Sequence, residues 1–280
     1  MPRRDLRYCR RMGLKVLVAA VFAVAWLPGA ASADRDLGTL DAVVASRGLA
    51  PVPDGWPIAI VTRTGVVVVA DGASAKSIVS VVDGDVDPQD KEGGVLGMYI
   101  PRLGAYASSL VASKPSLDGF LITADQEAPY RVIVEIAFSL TKASVKRLAL
   151  LCKGKTGLGI IPVALADKQA NVRDPKRGLQ LVVSMTRDKL QLWSLSGHEG
   201  TAAKPKLAVA RGELAALTTA LADIAKRRFG AKRSASDRRI VVTIDLAFRL
   251  KEVVDLLVAI RTAADGTELF PDVVLALGNG

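Results

Sequence analysis

The chain has 280 residues, enough for two ordinary domains, and half of them are hydrophobic while only 5% are aromatic. The core must therefore be built from aliphatic side chains. The formal net charge is +10, and residues 1–33 contribute half of it through six basic residues and one acidic residue. The remainder is mildly basic and lacks a basic stripe interleaved with aromatic residues, which argues against a nucleic-acid-binding protein.

Residues 1–33 have the organisation of a secretory signal peptide. A basic region from Arg3 to Lys15 precedes an apolar run at 16–27, and Ala31-Ser32-Ala33 is a cleavage signal. The apolar run is shorter than the ~20 residues that a membrane-spanning helix needs. We therefore expect cleavage after Ala33 and export to the periplasm or to the periplasmic face of the inner membrane. An arginine pair in the basic region leaves the general and the twin-arginine export routes open.

The first half of the remaining chain is predicted to alternate strands and helices. An N-terminal segment, 34–55, has a short helical pattern formed by Leu40, Val43, Val44 and Leu49. Within 56–166 we predict strands at 57–62 and 66–69, a segment of ambiguous structure at 77–82, a polar loop at 84–97 and a helix from residue 100 or 101 to 113. A loop at 153–159 and a strand at 160–165 follow, and Pro162 places that strand at a sheet edge.

The chain is organised around residues 120–153, which are typical of a strand–helix–strand unit. Phe120 to Ala124 is an apolar run, and a polar turn follows it. Pro129 suits the first turn of a helix, whose free N–H groups Asp125 or Gln126 can cap. Apolar residues at helical spacing and a second apolar run, 148–151, complete a βαβ unit with a right-handed crossover.

The second half repeats the order of the first after a charged linker at 167–177. Within 178–280 we predict strands at 179–185 and 190–193, a loop at 197–206, a helix at 211–228, a strand at 239–244, an amphipathic helix from about 250 to 260 and a last strand at 273–277. Thr123, Asp125 and Val134 recur as Thr243, Asp245 and Val254, a constant offset of 120 residues. This pattern predicts an internal duplication with a degenerate second copy.

The central unit also resembles a known family. The residues Ile122-Thr123-Ala124-Asp125, Ala128-Pro129-Tyr130, Val134 and 143–150 are similar to the periplasmic domain of the ExbD/TolR biopolymer-transport family. Ser144 stands where that family usually has glycine, and Arg249-Leu250 replaces the Pro-Tyr pair in the second copy. The family-motif positions are thus Asp125, Pro129, Tyr130 and Asp245.

The resemblance implies the fold, the partners and the assembly. It implies an α/β (α+β) protein with two tandem ExbD/TolR-like βαβ domains, each a small sheet with helices on one face. The family's partners are a proton-channel membrane subunit, a TonB- or TolA-like energy transducer and, for TolR-like members, peptidoglycan. The family's periplasmic domains pair as homodimers, so a tandem duplication is expected to build that pair within one chain or to leave it between two chains.

One departure from the family bears on function. ExbD/TolR proteins keep an aspartate in their N-terminal membrane helix, whereas residues 16–27 contain no Asp or Glu. Proton-coupled transport needs an ionisable group within the membrane. Two non-enzymatic interpretations therefore stay open: a protein that binds an envelope partner of the transport system, and a stand-alone periplasmic binding or scaffold module.

The acidic residues do not form a persuasive catalytic or metal site. Asp125 with Glu127 could be a carboxylate pair for acid–base chemistry, but turn and helix-capping roles are favoured because no nucleophile or base lies nearby. Asp83, Asp85 and Asp87 have the spacing of a calcium loop, yet its later glycine and glutamate are absent, so a solvated acidic loop is the preferred interpretation.

The remaining candidates are single residues. His198 is the only histidine and is predicted to be a loop residue. Cys152, the only cysteine after cleavage, is predicted to be a buried, inert thiol. Gly154-Lys155-Thr156 lacks the upstream glycine of a phosphate-binding loop, and a turn suffices. We accordingly predict no catalytic residue, metal or cofactor, and an enzyme would require a cluster of acids in one cleft.

Overall fold

The computed structural model describes residues 40–70, 74–166, 179–230 and 238–277. The predicted signal peptide (1–33) and linker (167–177) lie outside the described residues. The described residues form a mixed α/β structure with one twelve-stranded sheet and four α-helices, which confirms the α/β (α+β) part of the predicted fold class. No helix in these ranges is long and apolar enough to cross a membrane.

The elements alternate along the chain. The strands are β1 (Ile58–Val61), β2 (Gly65–Val69), β3 (Lys76–Val82), β4 (Asp85–Val86), β5 (Gly119–Ala124), β6 (Arg147–Gly154), β7 (Gly157–Leu165), β8 (Leu181–Met185), β9 (Lys189–Ser194), β10 (Leu207–Ala210), β11 (Arg239–Ile244) and β12 (Asp272–Leu277). The helices are α1 (Pro101–Ser113), α2 (Tyr130–Lys142), α3 (Leu214–Arg228) and α4 (Leu250–Arg261). Two short 3-10 turns, Pro88–Asp90 and Gly94–Leu96, follow β4.

The sheet brings both halves of the chain into one layer. Its strand order is β10-β9-β8-β11-β12-β7-β6-β5-β1-β2-β3-β4. In each half an antiparallel meander (β1–β3 or β8–β10) is followed by two parallel strands (β5 and β6, or β11 and β12), each preceded by a helix. Strand β7 joins the halves because it pairs antiparallel with β6 and parallel with β12.

The two halves agree in register as well as in order. Ile58 of β1 lies opposite Val69 of β2 and Leu121 of β5. Their counterparts repeat the arrangement, since Val182 of β8 lies opposite Trp193 of β9 and Val241 of β11. The matching strand positions are consistent with the repeat pattern in the sequence.

All four helices pack on one face of the sheet. Their buried side chains belong to one continuous apolar cluster with strand residues from both halves, such as Ala59 and Ile240. On the opposite face of the first half, Ile58 and Leu121 form a second cluster with Trp56. That cluster contains no helical residue, and part of the N-terminal segment covers it.

The predicted helical pattern in the N-terminal segment is wrong for its described part, residues 40–55. Val44 forms a parallel bridge with Lys153 at the end of β6, and Ala50 bridges Ile160 of β7. Val43 is buried while Val44 is half exposed, as expected for an extended chain. The segment lies where the pairing between β5 and β6 has ended, so its backbone finds partners in the sheet instead of in a helix.

Two further predictions for the region around β7 need correction. The predicted loop at 153–159 is a hairpin turn, with Gly154 of β6 opposite Gly157 of β7. Strand β7 is not at an edge, because β6 and β12 flank it. Pro162 is tolerated because β12 pairs only with Ala164 and Leu165, beyond the proline.

Candidate functional site

The family-motif positions meet where the two halves touch. Pro129 and Arg249, which occupy equivalent positions, form an antiparallel bridge. The Tyr130 N–H donates a hydrogen bond to the Phe248 carbonyl (2.8 Å), and the Leu250 N–H donates one to the Ala128 carbonyl (2.9 Å). These two bonds are equivalent under the 120-residue offset, so the contact has approximate two-fold symmetry.

Asp125 and Asp245 make the same local contacts in the two halves. The Asp125 Oδ1 accepts a hydrogen bond from the Glu127 N–H (2.9 Å), and the Asp245 Oδ1 accepts one from the Ala247 N–H (3.0 Å). Each aspartate therefore closes the turn between a strand and the next helix. This arrangement agrees with the turn interpretation of Asp125 and Asp245.

The side chains near this turn also hold the halves together. The Arg249 guanidinium donates a hydrogen bond to the Glu127 carbonyl (2.8 Å), across the junction. The Gln126 amide donates to the Asp41 carboxylate (2.8 Å), which ties the N-terminal segment to the same place. Tyr130 is buried, and its burial raises the pKa of the hydroxyl. The motif positions thus build a junction between the two halves.

An accessible site of a different kind lies at the end of the sheet, on β10. The Leu195 N–H donates to the Gln180 carbonyl (2.9 Å). Leu195 and Gln180 are therefore a hydrogen-bonded pair, and this tells us which residues of β9 bond to β8. Hydrogen-bonded pairs alternate along an antiparallel ladder. The odd-numbered residues of β9 therefore bond to β8, and the two leucines Leu190 and Leu192 bond to β10.

The same phase determines which β10 groups point away from the sheet. Leu190 of β9 lies opposite Val209 of β10, and Leu192 lies opposite Leu207. The N–H and C=O of Ala208 consequently face outward, as does the N–H of Ala210. The Ala210 carbonyl accepts a hydrogen bond from the Glu213 N–H (3.0 Å). Within the described residues, β10 has a strand neighbour on one side only.

The opposite end of the sheet is protected. There the short strand β4 covers the end of β3, and the Asp87 N–H donates to the Ser80 carbonyl (3.0 Å). The Asp90 carboxylate accepts from the Ser80 N–H (3.0 Å), so a side chain completes the edge. The start of β3 carries the exposed Lys76, a charge typical of protected edges. By contrast, the sequence of β10, Leu-Ala-Val-Ala, contains no charge and no proline.

Basic side chains border the open edge. Lys204 and Lys206 precede β10 and are exposed, and Lys189 begins the neighbouring strand β9. Arg211 follows β10, where its guanidinium lies 3.5 Å from the Glu252 carboxylate and above the Phe248 ring. An extended segment with acidic residues at its ends would complement this surface.

Sequence reasoning did not identify β10. Residues 207–210 fell between the predicted loop at 197–206 and the predicted helix at 211–228. A short alternation of larger and smaller apolar residues between Lys206 and Arg211 was the available signal. The helix begins at Leu214, three residues later than predicted, which leaves room for the strand.

The other candidate residues have structural roles. Asp83 and Gly84, both with positive φ, form the two-residue turn between β3 and β4, so the acidic stretch belongs to a hairpin. His198 is exposed in a loop. Cys152 is buried, and burial raises the pKa of its thiol to about 12. Lys155 and Thr156 form the turn between β6 and β7. Among the described residues, no group of three or more His, Cys, Asp or Glu side chains is placed to hold a metal ion.

Two cavities lie among the described residues. One, of about 370 Å³, lies between β3 and α1, and its lining includes Lys76, whose Nζ is 4.7 Å from the centre of the Tyr106 ring. The other, of about 250 Å³, lies between the halves and contains Trp56 and Asp272. Asp272 is its only carboxylate, and that carboxylate accepts a hydrogen bond from Arg239 (2.7 Å). Neither cavity therefore brings several acids together.

No protein-family model matches the chain, and no curated protein matches it.

Proposed function

We propose that this protein is a non-enzymatic, exported cell-envelope protein that resembles the periplasmic domains of ExbD/TolR biopolymer-transport proteins and binds an envelope partner. The open edge of β10 carries the proposal. Its outward-facing Ala208 N–H and C=O have no hydrogen-bond partner among the described residues and can pair with an added strand, and backbone pairing of this kind is a general way to bind an extended peptide.

The fold supports the resemblance in two ways. Ser144, which stands where the family usually has glycine, adopts a left-handed backbone conformation with φ of 66°. The contact of Tyr130 and Leu250 with the opposite half has the symmetry expected if residues 56–166 and 178–280 are tandem repeats that pair as the family's homodimers do. We infer that the duplication builds this pair within one chain.

The proposed partner is a protein with an extended, acid-flanked segment. A TonB- or TolA-like energy transducer or a membrane channel subunit fits the edge of β10 better than peptidoglycan, because strand addition requires a polypeptide backbone. Lys204, Lys206 and Arg211 favour acidic flanks on that segment. Peptidoglycan binding is the alternative for the envelope partner.

A second candidate function follows from residues 16–27, which contain no Asp or Glu. A protein without an ionisable group in its apolar segment does not itself conduct protons through the membrane. The candidate is a stand-alone periplasmic scaffold that kept the fold and has no role in proton-coupled transport.

The binding proposal is tested by Ala208→Pro. Proline removes the outward N–H of β10 and retains the bonds of β10 to β9, so the fold should remain. The probe is a labelled synthetic peptide that covers an extended periplasmic segment of the host's TonB-like transducer, and binding is measured by fluorescence anisotropy. We expect at least tenfold weaker binding, about 1.4 kcal/mol. Ala208→Val, which keeps the N–H, is the matched control and should bind as the original protein does.

Equal binding by the proline and valine variants would rule out β10 as the site. Far-ultraviolet circular dichroism of both variants shows whether the sheet is intact. Co-sedimentation with purified peptidoglycan then tests the alternative envelope partner.

Export is tested separately by the intact mass of the protein recovered from the cell envelope. A soluble periplasmic product that begins at Asp34 would support the scaffold and exclude a membrane-anchored subunit. An uncleaved, membrane-bound product would favour the transport complex, and a cytoplasmic product would refute export.

A further inference from the structure

Three of the most exposed large apolar side chains among the described residues lie at the end of β3 and in the loop after β4. Among the described residues, the large hydrophobic side chains that are most exposed are Leu96 (87%), Val95 (63%), Val82 (51%) and Val44 (45%). The first three belong to the segment 82–96. We name residues 93–97, Gly-Gly-Val-Leu-Gly, the apolar tip.

The backbone gives the apolar tip a defined shape. The Glu92 N–H donates to the Tyr99 carbonyl (2.9 Å), which closes the base of the loop. Gly93 and Gly94 have φ of 87° and 62°, a region that favours glycine. A Cβ on Gly97 would lie 2.0 Å from the Glu92 carbonyl oxygen, so only glycine fits there. The loop therefore places Val95 and Leu96 at its apex.

A buried ion cluster holds the apolar tip on helix α2. Glu135 of α2 is fully buried, and its Oε1 accepts hydrogen bonds from Lys91 Nζ (3.0 Å) and Arg131 Nε (2.9 Å). The Arg131 guanidinium also donates to the Val95 carbonyl. The two exposed side chains thus sit on an anchored backbone, and binding through them costs less ordering entropy than binding through a free loop.

Acidic residues directly precede the apolar tip in the chain. Residues 83–92 contain five carboxylates and one lysine, although the whole chain is basic. Asp87 and Asp90 are occupied by contacts with the backbone. Asp83, Asp85 and Glu92 are exposed, and no ion pair joins their carboxylates to a cation among the described residues. A partner is therefore offered apolar side chains with negative charge beside them.

We propose that the apolar tip binds a basic amphipathic segment of a partner protein, with Val95 and Leu96 inserted between its apolar side chains and Asp83, Asp85 and Glu92 beside its lysines or arginines. Charge complementarity determines this choice of partner. Anionic lipid headgroups would repel the same carboxylates, and two copies joined tip to tip would bring acids against acids.

This surface goes beyond the proposed function, because it does not involve β10. The strand order places β10 and β4 at opposite ends of the sheet.

The test uses the full chain and a defined probe, a fluorescein-labelled 18-residue amphipathic helix made of leucine and lysine. Binding is measured by anisotropy at 50 and 300 mM NaCl. We expect Val95→Ser/Leu96→Ser to bind at least tenfold more weakly than the original protein. Val44→Ser, which removes an exposed valine outside the segment 82–96, is the matched control and should have no effect.

The charge contribution has its own pair of variants. Asp83→Asn/Asp85→Asn/Glu92→Gln should weaken binding at 50 mM NaCl and reduce its salt dependence. The control Asp54→Asn/Asp188→Asn/Glu213→Gln removes three exposed carboxylates elsewhere and should bind as the original protein does.

Specific outcomes would overturn the proposal. Unchanged binding by Val95→Ser/Leu96→Ser would show that the apolar tip is not the site. Co-sedimentation with vesicles containing 30% anionic lipid, lost in that variant, would assign the tip to a membrane. A dimer in sedimentation velocity that the same variant dissociates would assign it to a second copy of the chain. The Ala208→Pro variant should bind the leucine–lysine peptide as the original protein does. Failure of the β10 proposal therefore does not decide the proposal for the apolar tip.

Discussion

Ser144 lies two residues beyond the end of helix α2 and has a backbone conformation that favours glycine. Its φ is 66°, and the Val145 N–H donates to the Leu140 carbonyl (3.2 Å), the long-range bond of a Schellman motif. The Ser144 side chain is exposed. A side chain in this region costs about 1–2 kcal/mol, which the greater chain entropy of unfolded glycine offsets in part. We expect Ser144→Gly to raise the free energy of unfolding by about 0.5–1 kcal/mol in urea titrations.

Ser108→Gly is the control for this prediction. Ser108 is exposed within α1, where glycine is disfavoured, so this substitution should lower the free energy of unfolding by about 0.5 kcal/mol. Equal losses in both variants would show that the left-handed conformation of Ser144 carries no strain.

Glu199 gives the protein a predictable response to acid. Burial disfavours its charged form, but hydrogen bonds from Arg227 (3.1 Å) and Arg228 (2.9 Å) outweigh burial and hold the pKa of this carboxyl below its usual value of 4.5. A carboxyl with a lowered folded pKa stabilises the protein above its unfolded pKa, and that stability is lost as the pH falls through the folded pKa.

Glu199→Gln should therefore lower the free energy of unfolding at pH 7 and have a diminishing effect as the pH falls below about 4.5. Urea titrations of both proteins between pH 7 and pH 3 measure the difference. A difference that stays constant over this range would mean that the charge of Glu199 is not responsible. Asp188→Gln, an exposed carboxyl elsewhere, serves as the control.

At the scale of elements, the ion cluster of Lys91, Arg131 and Glu135 joins the loop after β4 to helix α2. Lys91 and Glu135 are both buried, and the Glu135 Oε2 has no hydrogen-bond partner among the described residues. Removal of Lys91 would leave the buried carboxylate with one cation, which commonly costs about 3–5 kcal/mol. We expect Lys91→Met to lower the free energy of unfolding by roughly 3 kcal/mol.

The double variant Lys91→Met/Glu135→Met should recover most of that loss, because two apolar side chains of similar volume remove both charges together. Arg131 is partly exposed and can still reach water. Urea titrations of the two single variants and the double variant complete the cycle. Strictly additive losses would show that Lys91 and Glu135 do not act as a pair.

The sequence predicted individual helices and strands better than it predicted which elements lie next to each other in the fold. The helix from Pro101 to Ser113 is confirmed at both ends, because proline and an apolar stripe are local signals. Pro162 indicated an edge strand, but the neighbour that places β7 inside the sheet comes from residues 272–277 of the other half. The helical pattern around Val43 rested on too few residues to separate a helix from an extended chain.

The candidate site shows the same difference: local sequence patterns identified its residues, but not the contacts between them. Asp125, Pro129, Tyr130 and Asp245 were identified from motif and spacing, and the turn chemistry followed from residue type. That Pro129 lies against Arg249 is a contact over 120 residues, which no local pattern reveals. The openness of β10 depends in turn on the order of all the strands, and the pairing of Lys91 with Glu135 depends on how a loop folds onto a helix.

At the scale of the whole molecule, the two halves are joined by three kinds of contact. Strand β7 pairs with β12, the starts of α2 and α4 exchange backbone hydrogen bonds, and one apolar cluster includes residues from both halves. Separation of the halves would expose part of that cluster and leave the Tyr130 and Leu250 amides without their partners. The structure therefore favours one cooperative unit over two independent domains.

Two tryptophans make this cooperativity measurable, because Trp56 lies in the first half and Trp193 in the second. We expect the variants Trp26→Phe/Trp193→Phe and Trp26→Phe/Trp56→Phe each to show a fluorescence transition in urea that coincides with the loss of its own circular dichroism signal. Comparison within each variant cancels the effect of the substitutions on stability. A Trp193 transition at a urea concentration where half of the circular dichroism signal remains would mean that the second half unfolds alone. In that case the contacts between the halves would be too weak to hold the pair together, and a partner at β10 would bind a half that can open independently.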